Sequence, residues 1–233
     1  MSKRVFIAVG HGGSDSGAVA NGFKEKDLNL PIALACQKEL VRHGVIVGMS
    51  RTKDENDKTT VQECNAFKAD LALDIHHNAG GGDGAEVYHY HKGGVSKQLA
   101  QNILDCIVAL GQNSRGIKTK LNANGKDYYA FIRETAPPAV IVECAFVDNK
   151  TDIQIIDTKA EQEAMGIAIS KGVLKTLGIP WKPEEKVEAK PVQNSVSNKL
   201  YRVQVGAYKD RANADALLKK LKAAGFNGII TEV

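Results

Sequence analysis

Short apolar runs alternate with longer amphipathic stretches along the first 178 residues of the chain. The apolar runs predict strands over Arg4–Val9, Val45–Ser50, Leu71–Ile75, Ala85–His89 and Ala139–Cys144. The amphipathic stretches predict helices over Leu28–His43, Thr60–Lys68, Val95–Leu110 and Glu161–Leu177. Regular alternation of this kind predicts an α/β fold, with a mixed, mostly parallel sheet flanked by helices.

The alternating pattern breaks over residues 180–198, which contain three prolines, many charges and no periodicity. This composition predicts a semi-extended linker. Beyond it, Leu200–Gly206 alternates like a strand, Asp210–Ala224 is helical in pattern, and Phe226–Val233 again resembles a strand. The chain is therefore predicted to consist of a large domain over residues 1–179, a linker over 180–198 and a small β-α-β tail over 199–233.

Composition adds little about the fold, but the distribution of charge is informative. The 233 residues are 43% hydrophobic and 25% charged, which is ordinary for a globular protein and argues against disordered, collagen-like and disulfide-dense classes. The formal net charge is +4, and the last 35 residues hold the whole surplus, with seven basic and three acidic side chains. A nucleic-acid enzyme usually carries a basic footprint on its main domain, so nucleic acid is not an expected partner.

Targeting signals are missing from the pattern. No apolar run approaches the roughly 20 residues of a membrane-spanning helix, so no membrane partner is expected. The first apolar run, Val5–Val9, stops at Gly10 and is too short for a signal peptide. We therefore expect a protein made in the cytoplasm without a signal peptide. The cysteines, scattered singly among apolar neighbours, are interpreted as structural thiols: Cys36, Cys64, Cys106 and Cys144.

Four polar positions stand where chemistry can occur. His11 lies in Gly10–Gly13, and His76 in Asp74–Asn78, each directly after a predicted strand; Glu143 closes a third strand, and Glu25 precedes a helix. Taken singly, each has an ordinary explanation: a glycine turn, a solvated histidine, a strand end leaving for solvent, or a helix-dipole partner. Taken together, three of them meet at the carboxyl edge of one sheet, where α/β proteins bind ligands.

The residue types at this edge point to a metal-dependent hydrolase. Two histidines and one glutamate are a known ligand set for catalytic zinc, and a further carboxylate could take a proton from a metal-bound water. No H-E-x-x-H segment occurs, which excludes a thermolysin-type helix. Adjacent strand residues face opposite ways, so only one of His76 and His77 is expected to point at a shared centre.

Four motifs, in order, resemble the type-3 family of zinc-dependent N-acetylmuramoyl-L-alanine amidases. These enzymes cut the bond between the lactyl group of muramic acid and the first L-Ala of the peptidoglycan stem peptide. The similarity covers about residues 3–178, and the matching segments are Val9–Gly13 with Gly17 and Glu25, Asp27–Leu30, Asp74–Ala79 and Pro138–Asn149. Asp74 and Ala145 depart from the residues that the family often has there, and an Arg common before the family's A-N dipeptide has no counterpart beside Asn65.

The resemblance implies a role for each motif residue. His11, Glu25 and His76 would hold Zn²⁺, and Glu143 would serve as the general base. His77 is then either a support for the site or a solvated side chain, and the solvated alternative is favoured. Asp74 either fixes the tautomer of a histidine or makes an ordinary polar contact.

The candidates for substrate contact are less sharply defined. They are Asn78 in the central motif, Arg133 in a recurrent L-R-x-T stretch, and His89, which together with His91 either lines a groove or lies on the surface. Arg133 is the candidate for binding acidic groups of the stem peptide.

The tail, from Tyr201 to Phe226, resembles the first half of the SPOR repeat, a family that binds glycan strands of peptidoglycan. About 35 residues rarely bury enough surface to fold alone. We therefore expect the tail either to pair with a second tail, giving a homodimer, or to pack on the main domain.

The leading prediction is a peptidoglycan amidase, in particular a phage endolysin. The alternatives are a bacterial mother-cell or autolytic amidase, a non-catalytic wall-binding protein, and a different zinc hydrolase on a related scaffold.

Overall fold

The computed structural model describes residues 2–56, 60–183, 204–223, 226 and 228–231. In chain order the elements are β1 Arg4–Val9, β2 Val19–Ala20, β3 Phe23–Lys24, α1 Glu25–Arg42, β4 Ile46–Met49, α2 Thr60–Phe67, β5 Leu71–Asn78, β6 Ala85–His89, α3 Val95–Val108, β7 Ser114–Lys118, α4 Ala130–Glu134, β8 Ala139–Phe146, α5 Lys150–Ile153, α6 Lys159–Leu177 and α7 Arg211–Ala223. The chain divides into two compact units, Met1–Pro183 and Glu184–Val233.

The first unit is built on a six-stranded sheet with the strand order β4-β1-β5-β8-β6-β7. Strands β4, β1, β5 and β8 run parallel, β6 is antiparallel to β8, and β7 is parallel to β6. The predicted mixed, mostly parallel sheet flanked by helices is therefore confirmed. Its near-continuous apolar strands are typical of a sheet covered on both faces.

The two faces of the sheet are covered unequally. One face carries the main core, in which β1, β5 and β8 pack against α1, α3 and α6. The other face holds a much smaller cluster, formed by Phe6, Ala8, Ala72 and Ile141 under the short helices α2 and α4. Because side chains alternate along a strand, His76 and Glu143 share this thinly covered face with Ala72 and Ile141. Polar side chains at the carboxyl edge of this face therefore have access to solvent.

Several elements differ from the sequence predictions. Strand β5 continues to Asn78 and β8 to Phe146, so His76 lies within a strand and not after it. The predicted strands end too early because the prediction followed runs of apolar residues, and one face of each strand becomes polar at the site. The edge strand β7, Ser-Arg-Gly-Ile-Lys, was missed because its outer side meets water and its sequence lacks an apolar run.

The tail is also different from its prediction within the described residues. Helix α7 lies close to the predicted Asp210–Ala224. The predicted strands Leu200–Gly206 and Phe226–Val233 fall partly outside the described residues, and residues 204–206, 226 and 228–231 form no strand. A strand needs a hydrogen-bonded partner, and this part of the tail, as far as the structure describes it, offers none.

The start of the predicted linker is fixed to the first unit. Trp181 stacks on His43 at 4.7 Å between ring centroids, and His43 also accepts a hydrogen bond from the backbone of Lys182. Arg42 donates to the carbonyl of Lys182 at 2.7 Å. Contacts of Trp181 and Lys182 with His43 and Arg42 thus extend the first unit past residue 179, although the surrounding sequence is that of a linker.

Two further expectations concern the cysteines and membrane-spanning helices. The four cysteines are free thiols; Cys36, Cys64 and Cys144 are buried and Cys106 is half-buried. Burial raises the pKa of each of these thiols above its ordinary value, which fits inert structural residues. No helix in the described part of the chain is both long and apolar enough to cross a bilayer.

Candidate active site

Three side chains from separate parts of the chain converge at the carboxyl edge of the sheet. His11 follows β1, Glu25 is the first residue of α1, and His76 lies on β5. Glu25 Oε2 is 3.1 Å from His11 Nε2, and its Oε1 is 2.9 Å from His76 Nδ1. One potential ligand atom from each residue lies within 4.8 Å of the others. Glu25 is buried, whereas the two histidines are partly exposed.

The loop after β1 is shaped so that these groups can meet. His11 adopts a left-handed conformation, with φ of 60°, which is uncommon for residues other than glycine and is a feature of constrained sites. A Cβ on Gly10 would lie 2.3 Å from the ring of His76, and one on Gly17 would lie 2.5 Å from Glu25 Oε2. The glycines therefore let the backbone come close to the cluster from two sides.

Each histidine has a second carboxylate on its far nitrogen. Asp15 Oδ2 is 2.8 Å from His11 Nδ1, and Asp74 Oδ2 is 3.3 Å from His76 Nε2. A ring that donates its far N–H to a carboxylate keeps the lone pair of its near nitrogen turned to the shared centre. The contact of Asp74 with His76 fits both alternatives for Asp74, because it can fix the tautomer of the ring and is also an ion pair when the ring is protonated. Asp15 was not identified from the sequence.

The charges in the cluster are strongly coupled. Burial by itself would raise the pKa of Glu25, but hydrogen bonds with His11 and His76 hold it well below its ordinary value. The pKa of His11 is raised, mainly by its hydrogen bond to Glu25. Burial opposes the charged form of His76, yet Asp74 and Glu25 raise its pKa well above the ordinary value. The centre therefore favours positive charge, as a cation site does.

Glu143 lies beside this cluster on β8. Its Cα is the register partner of His76 on β5 and of Glu86 on β6, so the three side chains form a row on one face of the sheet. Its Oε2 is buried and has no hydrogen-bond partner among the described residues. Burial raises the pKa of Glu143 to about 7, with Glu25 adding to the effect and His76 opposing it.

The donor set fits a catalytic metal ion. Two imidazole nitrogens and one carboxylate oxygen leave a further position for water or substrate around a tetrahedral zinc. The cluster faces a cleft of about 290 Å³, so such a position is accessible. The residues present are therefore compatible with Zn²⁺ as the cofactor.

The structure contradicts the favoured interpretation of His77. The side chain is 3% exposed and turned away from His76, with its Nδ1 2.7 Å from Asn29 Oδ1. Burial lowers the pKa of His77 to about 4, so the ring is neutral. The same Asn29 donates to the carbonyl of Gly10 at 2.9 Å. His77 thus supports the loop of His11 from the core side and is not solvated.

The three candidates for substrate contact have different positions. Asn78 lies at the site edge and donates to Glu86 Oε1 at 3.0 Å. Arg133 is occupied by the carbonyls of Asp127 and Tyr128 and by the carboxylate of Glu134. His89 is buried on the opposite face of the sheet, opposite Val140, so the structure does not bring it to the site. His91 binds Asp127 at 2.7 Å.

Two buried charged residues near the site gave no sequence signal. Arg51, 2% exposed, donates to the carbonyls of Val9, Gly10 and Lys26 and so holds the loop of His11 from below. Glu86, also 2% exposed, is the strand neighbour of Glu143. A lone arginine after a strand and a glutamate within one look like surface residues in a sequence. Asp15 could have been found from its position four residues after His11.

The fold and the site together define an α/β protein with a candidate metal centre and an adjacent carboxylate. A metal-dependent hydrolase needs these two groups to activate water. The family model described as N-acetylmuramoyl-L-alanine amidase (Amidase_3) matches residues 5–175, and the chain belongs to that family. Residues 171–232 match the model of the SPOR domain. The resemblance to both families is confirmed.

Individual relatives agree with this assignment. A sporulation-specific N-acetylmuramoyl-L-alanine amidase of Bacillus subtilis (strain 168) is 35% identical, with 97% of this chain and 84% of that protein covered. The endolysin of Bacillus phage SPP1 is 37% identical, with 72% of this chain and 66% of that protein covered. The solved structure of Cwp6 from Clostridium difficile has a TM-score of 0.74 at 39% identity, covering 76% of this chain and 30% of that one.

Proposed function

We propose that this protein hydrolyses the amide bond between the lactyl group of N-acetylmuramic acid and the first L-Ala of the peptidoglycan stem. Its membership of the amidase family supports this activity. The observation that carries the mechanism is the meeting of His11, Glu25 and His76 beside Glu143, at the carboxyl edge of the sheet.

In this proposal His11, Glu25 and His76 hold Zn²⁺. When bound there, the metal polarises the scissile carbonyl and lowers the pKa of the attacking water. Asp15 and Asp74 keep the two imidazole rings in the orientation that binding needs, through their contacts with the far nitrogens. The left-handed His11 and the adjoining glycines fix the first ligand before any metal arrives.

Glu143 is the proposed general base. Its Oε2 is buried without a partner in the described structure, and so is free to accept the proton of the attacking water. The oxygen of that water bonds to the carbonyl carbon, the C–N bond breaks, and Glu143 passes the proton to the departing nitrogen. The products are the lactyl carboxylate and a stem peptide with a free L-Ala amino terminus.

The activity is tested by digesting purified cell walls and analysing the fragments by mass spectrometry. The proposal predicts new L-Ala amino termini without new reducing sugars, together with a zinc content near one ion per chain. New reducing sugars in place of amino termini would indicate a different hydrolase. Intact walls after incubation with the zinc-loaded protein would favour the non-catalytic wall-binding alternative.

Two biological settings are compatible with the proposed activity. The phage endolysin among the relatives supports a lytic phage enzyme released to the wall from the host cytoplasm. The sporulation-specific amidase supports the mother-cell alternative, and its match extends over 97% of this chain, against 72% for the endolysin. Because that longer match includes the tail, we favour the mother-cell alternative. Immunolocalisation in sporulating and in phage-infected cells distinguishes the two.

We further propose that the tail binds glycan strands and joins two chains. The SPOR match over residues 171–232 supports the first part. The second part rests on exposed apolar side chains in the tail, among them Val205, Phe226 and Ile229, which are at least 63% exposed. Analytical ultracentrifugation of the full-length protein should show a dimer, and a monomer at high concentration would remove this idea.

A further inference from the structure

Next to Glu143 lies a buried carboxylate that the proposed mechanism does not use. Glu86 is 2% exposed, yet four side chains donate to it. Its Oε1 accepts from Asn78 Nδ2 at 3.0 Å and from Tyr88 Oη at 2.9 Å. Its Oε2 accepts from Arg115 Nε at 2.7 Å and from Lys118 Nζ. Such a network fixes the position of every group in it.

The network brings two cationic side chains to one carboxylate. Arg115 and Lys118 both form ion pairs with Oε2 of Glu86. Both cationic side chains are about one-third exposed, at 36% and 32%. Both cationic groups are therefore accessible from solvent, where they can meet an anionic ligand.

The guanidinium of Arg115 is held in place with donors to spare. Only its Nε binds Glu86, and its two terminal nitrogens make no hydrogen bond within the described parts of the chain. The group lies 4.9 Å from the ring centroid of Phe146, whose ring packs against Gly82. A fixed guanidinium whose two terminal nitrogens are available is suited to bind a carboxylate through a pair of hydrogen bonds.

The distance from the reacting centre fits a peptide substrate. Glu86 and Glu143 are partners on neighbouring strands, and Arg115 lies on the next strand, β7. At about 4.8 Å per strand, Arg115 is rooted roughly 10 Å from the strand of the general base. An extended peptide covers about 3.5 Å per residue, so an acidic side chain one or two residues beyond the cleaved amide reaches this position.

We propose that Arg115 and Lys118, aligned by Glu86, form a subsite for a carboxylate of the peptide stem, on a residue that follows the L-Ala. This inference rests on the proposed amidase function and extends it to substrate choice. Arg133, the candidate from the sequence for binding acidic groups, has its donors bound to two carbonyls and a neighbouring glutamate. Arg115, which binds Glu86 only through Nε, keeps its two terminal nitrogens available among the described residues.

The test compares two synthetic muramoyl peptides that differ only at the residue after L-Ala, which carries either a carboxylate or the matching carboxamide. For the unmodified enzyme we expect about ten-fold higher kcat/KM on the carboxylate peptide, mostly through KM, since a charge-assisted pair contributes on this scale. Arg115→Gln should bring the ratio close to one, through a loss of kcat/KM on the carboxylate peptide that is read mainly in KM.

Two further variants separate recognition from folding. Arg115→Lys should keep part of the preference, because the charge remains although the fork geometry is lost. Lys97→Gln removes one positive charge from the exposed side of α3 and should keep the full preference. Equal rates of the unmodified enzyme on the two peptides, or an unchanged ratio in Arg115→Gln, would overturn the subsite. No cleavage of either peptide by the unmodified enzyme would instead refute the amidase function on which the subsite depends.

Discussion

At the scale of single residues, the buried Oε2 of Glu143, which has no hydrogen-bond partner among the described residues, offers the most direct test of the proposed catalysis. The carboxylate belongs to a strand whose other side chains are apolar, and it is flanked by His76 and Glu86. A polar atom in such a place is costly unless it has a function or a bound water. Its chemistry can be separated from metal binding, because Glu143 is not a member of the cluster formed by His11, Glu25 and His76.

Replacing Glu143 by Gln should lower kcat by about 10² to 10⁴-fold, the usual contribution of a general base. The zinc content of the variant should equal that of the unmodified protein, measured by elemental analysis. Release of L-Ala amino termini is the activity to follow. Glu163→Gln, on the exposed side of α6 in an ion pair with Lys38, serves as the control and should be fully active. Activity of Glu143→Gln within ten-fold of the control would rule out the proposed role.

Asp15 provides a second test at this scale. Asp15→Asn removes the charge that holds His11 Nδ1, and the loss of such a support typically weakens metal binding by about 10 to 100-fold. Competition with a fluorescent zinc chelator measures the change. Asp105→Asn, on the exposed side of α3, should leave the affinity unchanged. Equal zinc affinities of the two variants would show that Asp15 is only a surface partner of His11.

The sequence identified His11, Glu25, His76 and Glu143 because each falls in a motif of neighbouring residues. It did not identify Asp15, Arg51 or Glu86. Asp15 lies only four residues from His11, but the positions of Arg51 and Glu86 at the site depend on pairings across the fold, such as the one between Arg51 and the carbonyl of Gly10, 41 residues apart. A motif records neighbours along the chain, whereas these contacts arise only once the strands are side by side.

At the scale of elements, the backbone after β1 and the side chain of His76 on β5 lie so close together that only glycine fits at position 10. Gly10 meets the ring of His76, with room for a hydrogen atom only. Strand β5 continues through the site to Asn78 because its polar residues occupy the thinly covered face, while Ile75 and His77 remain buried on the other. The elements thus place the ligands, and the helices α1, α3 and α6 keep the sheet rigid from behind.

Gly10→Ala should therefore displace the ring of His76 and lower zinc affinity by at least ten-fold, with the fold retained. Calorimetric zinc titration and circular dichroism measure the two quantities. Gly22→Ala is the matched control: it has a left-handed φ of 83° but no atom within 4 Å of the added Cβ. It should cost about 1 kcal/mol of stability through backbone strain while zinc affinity is unchanged. Unaltered zinc binding by Gly10→Ala would contradict the close approach.

At the scale of the whole molecule, charge is divided unevenly between residues 1–180, which have no net charge, and a basic tail over residues 199–233. The exposed lysines of α7, Lys219, Lys220 and Lys222, form part of this surplus. Attraction of this size to an anionic cell wall is screened within about 8 Å at physiological salt. We therefore expect it to help retain the protein at the wall without selecting the bond that is cut.

Deleting residues 199–233 should weaken binding to purified walls at low salt, and the difference should shrink as salt is added. Zinc content should not change. Co-sedimentation with walls over a salt series measures the effect. The triple variant Lys219→Gln, Lys220→Gln and Lys222→Gln keeps the chain length and should show the salt-dependent part of the loss. Equal binding by truncated and intact protein at low salt would show that the tail makes no contribution.

The sequence by itself determined the α/β class, the order of most strands and helices, and four residues of the site, because periodicity and short motifs are properties of neighbouring residues. Only the tertiary structure decided that His77 is buried, that His89 faces away from the site, and that Arg115 binds Glu86 and keeps its terminal donors available. Exposure and pairing depend on which strands become neighbours, and that is fixed by packing of the whole sheet. The class of reaction could therefore be predicted from the sequence, whereas the proposed subsite for the substrate could be inferred only from the fold.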